Sequence, residues 1–372
     1  MTAPIRRRRR RLGGALAVLL AAAVLAAAVA LSRAPIDPLA YFPPPAPPLA
    51  GPYAPNEALR AAERLAAGRL RGPEDVAVDA AGRIIAGAED GRLVRVTLEA
   101  GGGERIDTLA DTGGRPLGLD FAPDGHLIVA DARRGLLAVS PQGGVRLLVH
   151  EAAGRPLGFA DDVDVARDGT VYFSDASWRH GVDAYLLDLL EARPHGRLLR
   201  HDPATGETEV LLDGLYFANG VALSADESFV LVNETYRYRI TRYWLTGPRA
   251  GTRDVFADNL PGFPDGVSGN GRGLFWVALY TVRNAVADRL HPHPRWKALL
   301  STLPRSLWPR PADYGLVLGL DESGRVVHAL HDPGGRVVNH VTSVEEVDGW
   351  LHLGSLDGDA VARLPVPGPR GR

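Results

Sequence analysis

Five polar side chains of this chain occur at one recurring register: Glu74, Asp161 with its neighbour Asp162, Asn219 and Asp265. The unit is clearest where it occurs twice in close succession. Phe217-Ala-Asn219-Gly220-Val leads through a polar turn to Phe229-Val-Leu-Val232, and Phe263-Pro-Asp265-Gly266-Val leads through a Gly-Arg-Gly turn to Leu274-Phe-Trp-Val277. An acid or amide thus stands just ahead of a short strand, and a second apolar β-rich run follows. Carboxylates brought to one place repel unless something neutralises them. A hard, oxygen-seeking cation does so, and Ca²⁺ with water in its remaining positions suits this donor set. Zinc would recruit His or Cys, and neither stands at this register; with Cys 0, thiolate sites, disulfides and a cysteine nucleophile are excluded altogether. The alternative is that these residues only cap strands or hold turns, the role we assign to Asp124, Asp168 and Asp348 in the hairpins.

These residues need a scaffold that brings one position of each repeat to one place. From Gly72 onward the chain is a periodic array. Copies begin at Gly72-Pro-Glu74-Asp75, Arg115-Pro-Leu-Gly118, Phe159-Ala-Asp161-Asp162, the two units above, and Thr342-Ser-Val-Glu-Glu346. The first spacings, about 43 and about 44 residues, are those of a four-stranded propeller blade, and Asp-Gly or Gly-Arg pairs supply the hairpins. Six repeats predict an all-β fold, a six-bladed β-propeller over 61–367, with Ala62–Leu70 as the strand that closes the ring. The longer spacings require insertions at 178–196, with a helix-like AYLLDLLEA, and at 282–312, with HPHPRW and a further helical stretch. Inner strands line a propeller's channel, so the repeated register gathers at one mouth of it.

The N-terminal end is different in kind. Residues 1–11 are basic, with Arg6–Arg11 consecutive, and Leu12–Leu31 carries no charge. Its twenty residues would span about 30 Å as a helix, enough for a bilayer. The expectation is a signal-anchor over 12–31 with the propeller outside the cytoplasm, in the periplasm or at the cell surface. A signal peptide cleaved near Ala28-Val-Ala30 would give a secreted protein instead, and the paired arginines leave a Tat-type signal open. Residues 32–60 form a Pro-rich linker, read as an extended spacer. A net charge of -2 gives no reason to expect nucleic acid as a partner.

The stretches FANGVALS, FVLVNETYRYRITRYWLTGPRAGT, PGFPDGVS and FADDVDVARDGTVYFSDAS resemble the strictosidine synthase-like family. That family belongs with gluconolactonase-, diisopropyl fluorophosphatase- and paraoxonase-type propellers, and the N-terminal anchor resembles its adipocyte plasma membrane-associated branch. The resemblance implies channel calcium held at Glu74, Asp161, Asn219 and Asp265. The third-blade position is often Asn in relatives, so Asp161 adds negative charge here. In true strictosidine synthase a catalytic Glu precedes the last blade's Glu-x-Asp-Gly by four residues; here that motif begins at Glu346 and the position is Thr342. The paraoxonase catalytic His has Leu117 in its place. What the resemblance then implies is a calcium-dependent hydrolase of lactones or aryl esters, with Asp265 as base or nucleophile and Asp162 assisting. His180, His340 and Thr342 are candidate contacts to a small-molecule substrate. Two other readings stand beside it: a propeller that binds a ligand or protein without catalysis, and a condensing lyase in which another group replaces the missing Glu. A Ser-His-Asp hydrolase would present a Gly-x-Ser-x-Gly elbow, which the chain lacks.

Overall fold

The computed structural model describes residues 28–368 together with 21, 22 and 25. Contacts divide the chain into two compact units. The larger, Pro43–Leu189, Pro194–Asn284 and Pro311–Arg372, is a six-bladed β-propeller. The smaller comprises Met1–Phe42, Leu190–Arg193 and Ala285–Arg310.

Each blade is a four-stranded antiparallel sheet whose strands follow in chain order from the channel outwards. The inner strands are Val76–Val78, Pro116–Phe121, Ala160–Val165, Ala218–Leu223, Gly262–Gly269 and Val341–Val347. They contact one another in ring order, the last returning to the first. The sixth blade takes its outer strand, Glu63–Leu65, from the start of the array, pairing Glu63 with Arg363 and Leu65 with Val361. The closing strand therefore lies where the sequence places it. Alternating strand faces pack between neighbouring blades; Phe229, Phe256 and Phe275, for example, meet between the fourth and fifth.

The hairpin assignments hold as well. Gly82, Gly125, Gly169 and Gly349 all have positive φ in the turns between first and second strands, a conformation that glycine adopts without steric cost. The insertion after Asp175 contains the helix Tyr185–Glu191. The Pro-rich stretch is less of a free spacer than its composition suggests. Pro44 and Pro45 accept hydrogen bonds from Arg283 and Asn259, Asn56 bonds Ala329 and His331, and Leu59 is fully buried.

The basic residues 1–11 and most of the apolar run 12–31 lie outside the described residues. Among those described, no helix is long and apolar enough to cross a membrane.

Candidate metal and active site

Asp161, Asn219 and Asp265 lie within their inner strands rather than ahead of them, while Glu74 stands two residues before Val76–Val78, as the sequence places it. The pairing of the first two strands slips between Ala160 and Val163, Ala218 and Val221, and Pro264 and Val267. Each slip is a bulge that takes Asp161-Asp162, Asn219-Gly220 and Asp265-Gly266 out of the ladder, and such bulges re-aim side chains. The glycines have a second reason to be there. A Cβ on Gly220 would lie 2.5 Å from the Asp265 carbonyl oxygen, and one on Gly266 2.6 Å from that of Thr342. Only glycine lets successive blades approach so closely at the channel.

Glu74, Asp161, Asn219 and Asp265 are all buried there. The Asn219 amide nitrogen donates to Asp265 Oδ1 at 2.6 Å. Asn233 donates to the Asp265 carbonyl at 2.5 Å and Thr235 to that of Pro264 at 2.7 Å, fixing the backbone that carries the acid. Asp161 Oδ2 is buried without a hydrogen-bond partner. Burial raises the Glu74 carboxyl well above its ordinary value, and the charges of Asp265, Asp161 and Asp75 add to it; only Arg115 opposes. Asp161 is raised for the same reasons, burial first, then Asp265 and Asp162. Asp265 is pushed up to about 7 by burial, against the Asn219 hydrogen bond.

Three desolvated carboxylates and one amide oxygen, with one carboxylate oxygen orphaned, form an all-oxygen donor set suited to a hard divalent cation. The one opposing cation, Arg115, is itself buried and donates to the carbonyls of Gly72 at 2.9 Å and Gly87 at 3.3 Å. The residues fit calcium.

The remaining candidates are placed differently. Asp162 has both carboxylate oxygens engaged, Oδ1 by its neighbour's amide (Val163, 2.8 Å) and Oδ2 by that of Val221 in the next blade (2.8 Å). Thr342 is buried and donates to the Glu74 carbonyl at 2.6 Å. His180 is buried in the third-blade insertion, its backbone amide on Ser177 Oγ at 3.0 Å and its ring 5.8 Å from that of His195. His195 in turn lies 3.0 Å from Asp188, which also accepts from Ser177 at 2.6 Å. His340 has φ 48°, with Nδ1 3.1 Å from Asp357 and Nε2 3.2 Å from the Ala312 carbonyl.

Sequence reasoning missed two groups beside His340. Tyr280 stacks on its ring at 4.6 Å and donates to Asp357 Oδ2 at 2.6 Å. The His340 hydrogen bond, followed by that of Tyr280, holds the Asp357 carboxyl below its ordinary value against burial. The charge of Asp357 adds to the burial that raises Asp265. Asp357-Gly reads in sequence as one more turn, and Tyr280 as the end of a strand.

Comparisons with known proteins agree with this architecture. The strictosidine synthase family profile matches residues 161–248, and the strictosidine synthase-like N-terminal profile matches 51–96. The adipocyte plasma membrane-associated protein of Rattus norvegicus is 39% identical over 363 residues, covering 91% of this chain and 95% of the rat protein. Among solved structures, a gluconolactonase from Xanthomonas campestris aligns with TM-score 0.58 at 19% identity, over 82% of this chain and 88% of its own. Regucalcin from Agrobacterium tumefaciens, described as a calcium-binding protein, aligns with TM-score 0.58 at 16% identity, over 83% and 95%. At such identities these two structures bear on the fold alone.

Proposed function

The chain belongs to the strictosidine synthase-like family, and from that premise we propose that it is a calcium-dependent hydrolase of lactones or aryl esters acting at the channel mouth. The observation that carries this reading is the buried cluster of Glu74, Asp161, Asn219 and Asp265, three carboxylates and an amide at one mouth, of which Asp161 Oδ2 has no hydrogen-bond partner. Calcium held by these four residues would polarise an ester carbonyl and stabilise the charge developing on its oxygen. Asp265 is the base or nucleophile: it takes a proton from the water that adds to the acyl carbon, or adds to that carbon itself. Either way the acyl C–O bond breaks and the alkoxide or phenoxide leaves with a proton; an acyl-aspartate, where formed, is hydrolysed by water. Asn219 fixes the orientation of that carboxylate through Oδ1, and Asn233 and Thr235 hold its backbone. Asp162 assists by bracing the Asn219 strand through Val221, and Thr342 by holding Glu74. His180 and the His340–Asp357–Tyr280 group contact the polar parts of the substrate.

Condensing chemistry is disfavoured because Thr342 offers a hydroxyl, already engaged, where the condensing relatives carry a carboxylate. For the chain as a whole we propose a basic end at 1–11, an anchor at 12–31, a linker at 32–60 and the propeller at 61–367, outside the cytoplasm. The uncharged run and the membrane association named for the rat relative support this.

The test uses the full chain in detergent against a panel of lactones and aryl esters, with calcium and after chelation. Turnover that chelation removes, calcium restores and Asp265→Ala abolishes is the expected result. Calcium binding with no turnover of any panel member would replace the hydrolase by a binding propeller, and absence of calcium binding would overturn the site itself.

A further inference from the structure

The smaller unit concentrates the exposed apolar side chains of the molecule. Eleven large apolar side chains are exposed among the described residues, and nine of them lie in this unit. Leu147 and Val255, the other two, are single residues on propeller strands. In the unit, Trp296 is 62% exposed, Leu307 64% and Val286 60%, and Leu303 and Phe42 are exposed as well. Besides Ile36, Leu190, Ala192 and Ala298, the unit buries three polar side chains among the described residues. Lys297, the chain's one lysine, is fully buried and donates from Nζ to the Leu39 carbonyl at 2.5 Å. Glu191 accepts the Asp37 amide at 2.8 Å, and His291, also buried, packs edge-on against Tyr41. The helix Pro294–Ser301 thus turns its lysine inwards and its tryptophan outwards.

Charge on this segment is predominantly positive. Between residues 285 and 310 there are five cations, Arg289, Arg295, Lys297, Arg305 and Arg310, against Asp288 alone, in a chain whose net charge is -2. Four of these, the arginines, are exposed. Exposed tryptophan and leucine interleaved with arginine are the composition of a surface that settles into the interfacial zone of a bilayer, where the indole meets the headgroups and the guanidinium groups meet lipid phosphate. The chain beyond the described residues points to the same partner. The uncharged run Leu12–Leu31 ends in this unit, with Leu31 exposed.

We propose that the segment 285–310, with residues 28–42, is a membrane-docking surface that lies in the interface of a bilayer containing anionic lipid. This adds a second contact to the anchor at 12–31 and rests on the membrane part of the reading above. The propeller is then held to the bilayer at two places rather than swinging on a single tether.

The experiment reconstitutes the full chain into vesicles of phosphatidylcholine with phosphatidylglycerol and compares them with vesicles whose acyl chains are dibrominated. The emission of Trp296 is isolated as the difference between wild type and Trp296→Phe, an exposed position whose replacement leaves the fold intact. Bromine quenching of that difference emission is expected, reduced several-fold by Leu303→Ser with Leu307→Ser, and reduced when phosphatidylglycerol is omitted. A chain that floats with the vesicles while Trp296 stays unquenched overturns the docking surface and leaves the anchor standing. A chain that does not float overturns both. Trp296 emission already shielded from a soluble quencher without lipid also overturns the proposal: dependence on protein concentration would assign the patch to a second copy, and independence to the chain itself.

Discussion

Two sets of carboxylates line the same channel, adjacent in sequence and opposite in circumstance. Along the wall, Asp75 Oδ2 accepts the Leu119 amide at 2.8 Å, Asp120 that of Val165 at 2.8 Å, Asp162 that of Val221 at 2.8 Å, and Asp164 that of Leu223 at 2.7 Å. Each acid is fastened to the inner strand of the following blade. At the mouth, Glu74 and Asp161 stand one residue before Asp75 and Asp162, and among the described residues no backbone amide of a neighbouring blade reaches their carboxylates. A buried carboxylate with two amide donors is a structural clasp; one with an orphaned oxygen is half of an interaction whose other partner is a cation. Both sets are raised by burial, so a shifted pKa does not tell clasp from site. The count of donors does.

The largest effect that would sharpen this contrast is on turnover. Asp265→Ala should lower lactone or ester hydrolysis by about 10³-fold, the scale of removing a principal stabilising group, with the unfolding midpoint of the calcium-free protein unchanged or higher. A wall acid behaving the same way would erase the distinction. Next is calcium itself. At about a hundred times its Kd it should stabilise the wild type by about 2.7 kcal/mol, read by denaturant titration, and Asp161→Ala should lose most of that gain. Third, Asp120→Ala strands the Val165 amide and should cost about 1–3 kcal/mol of stability in either calcium condition, with the calcium response kept. A change in calcium affinity there would make the wall part of the site.

The last comparison is made with pH. Asp164 lies at about 6 and Asp265 at about 7 in the folded chain, each raised from an ordinary value of 3.8, chiefly by burial. A carboxyl raised on folding contributes stability that is complete below its unfolded value and is lost as pH climbs through the folded one. The calcium-free protein should therefore lose stability between about pH 4 and pH 7, measured by urea unfolding across that window. Saturating calcium should cancel the part owed to Asp265 and leave that of Asp164. A calcium-free protein most stable at pH 7 would contradict the burial of both sets.

Much of this molecule could be read from the chain. The spacing of the repeats, the Asp-Gly and Gly-Arg hairpins and the residues near Leu65 that close the ring follow from short-range chemistry repeated along the sequence. The register that collects Glu74, Asp161, Asn219 and Asp265 is also periodic, so the topology alone brings them to one mouth. Tertiary structure decided what the sequence left equal. Asp161 and Asp162 are identical neighbours, and only the bulge turns one towards an amide of the next blade and leaves the other without a donor. Gly220 and Gly266 are visible in the sequence only as a repeated motif position, and it is the approach of adjacent blades that requires them. Asp357 and Tyr280 join His340 from separate blades, through contacts with no periodicity to betray them. Local pattern determined which strands form and in what order; which oxygen is left unsatisfied depends on how neighbouring blades pack, and that no single repeat contains.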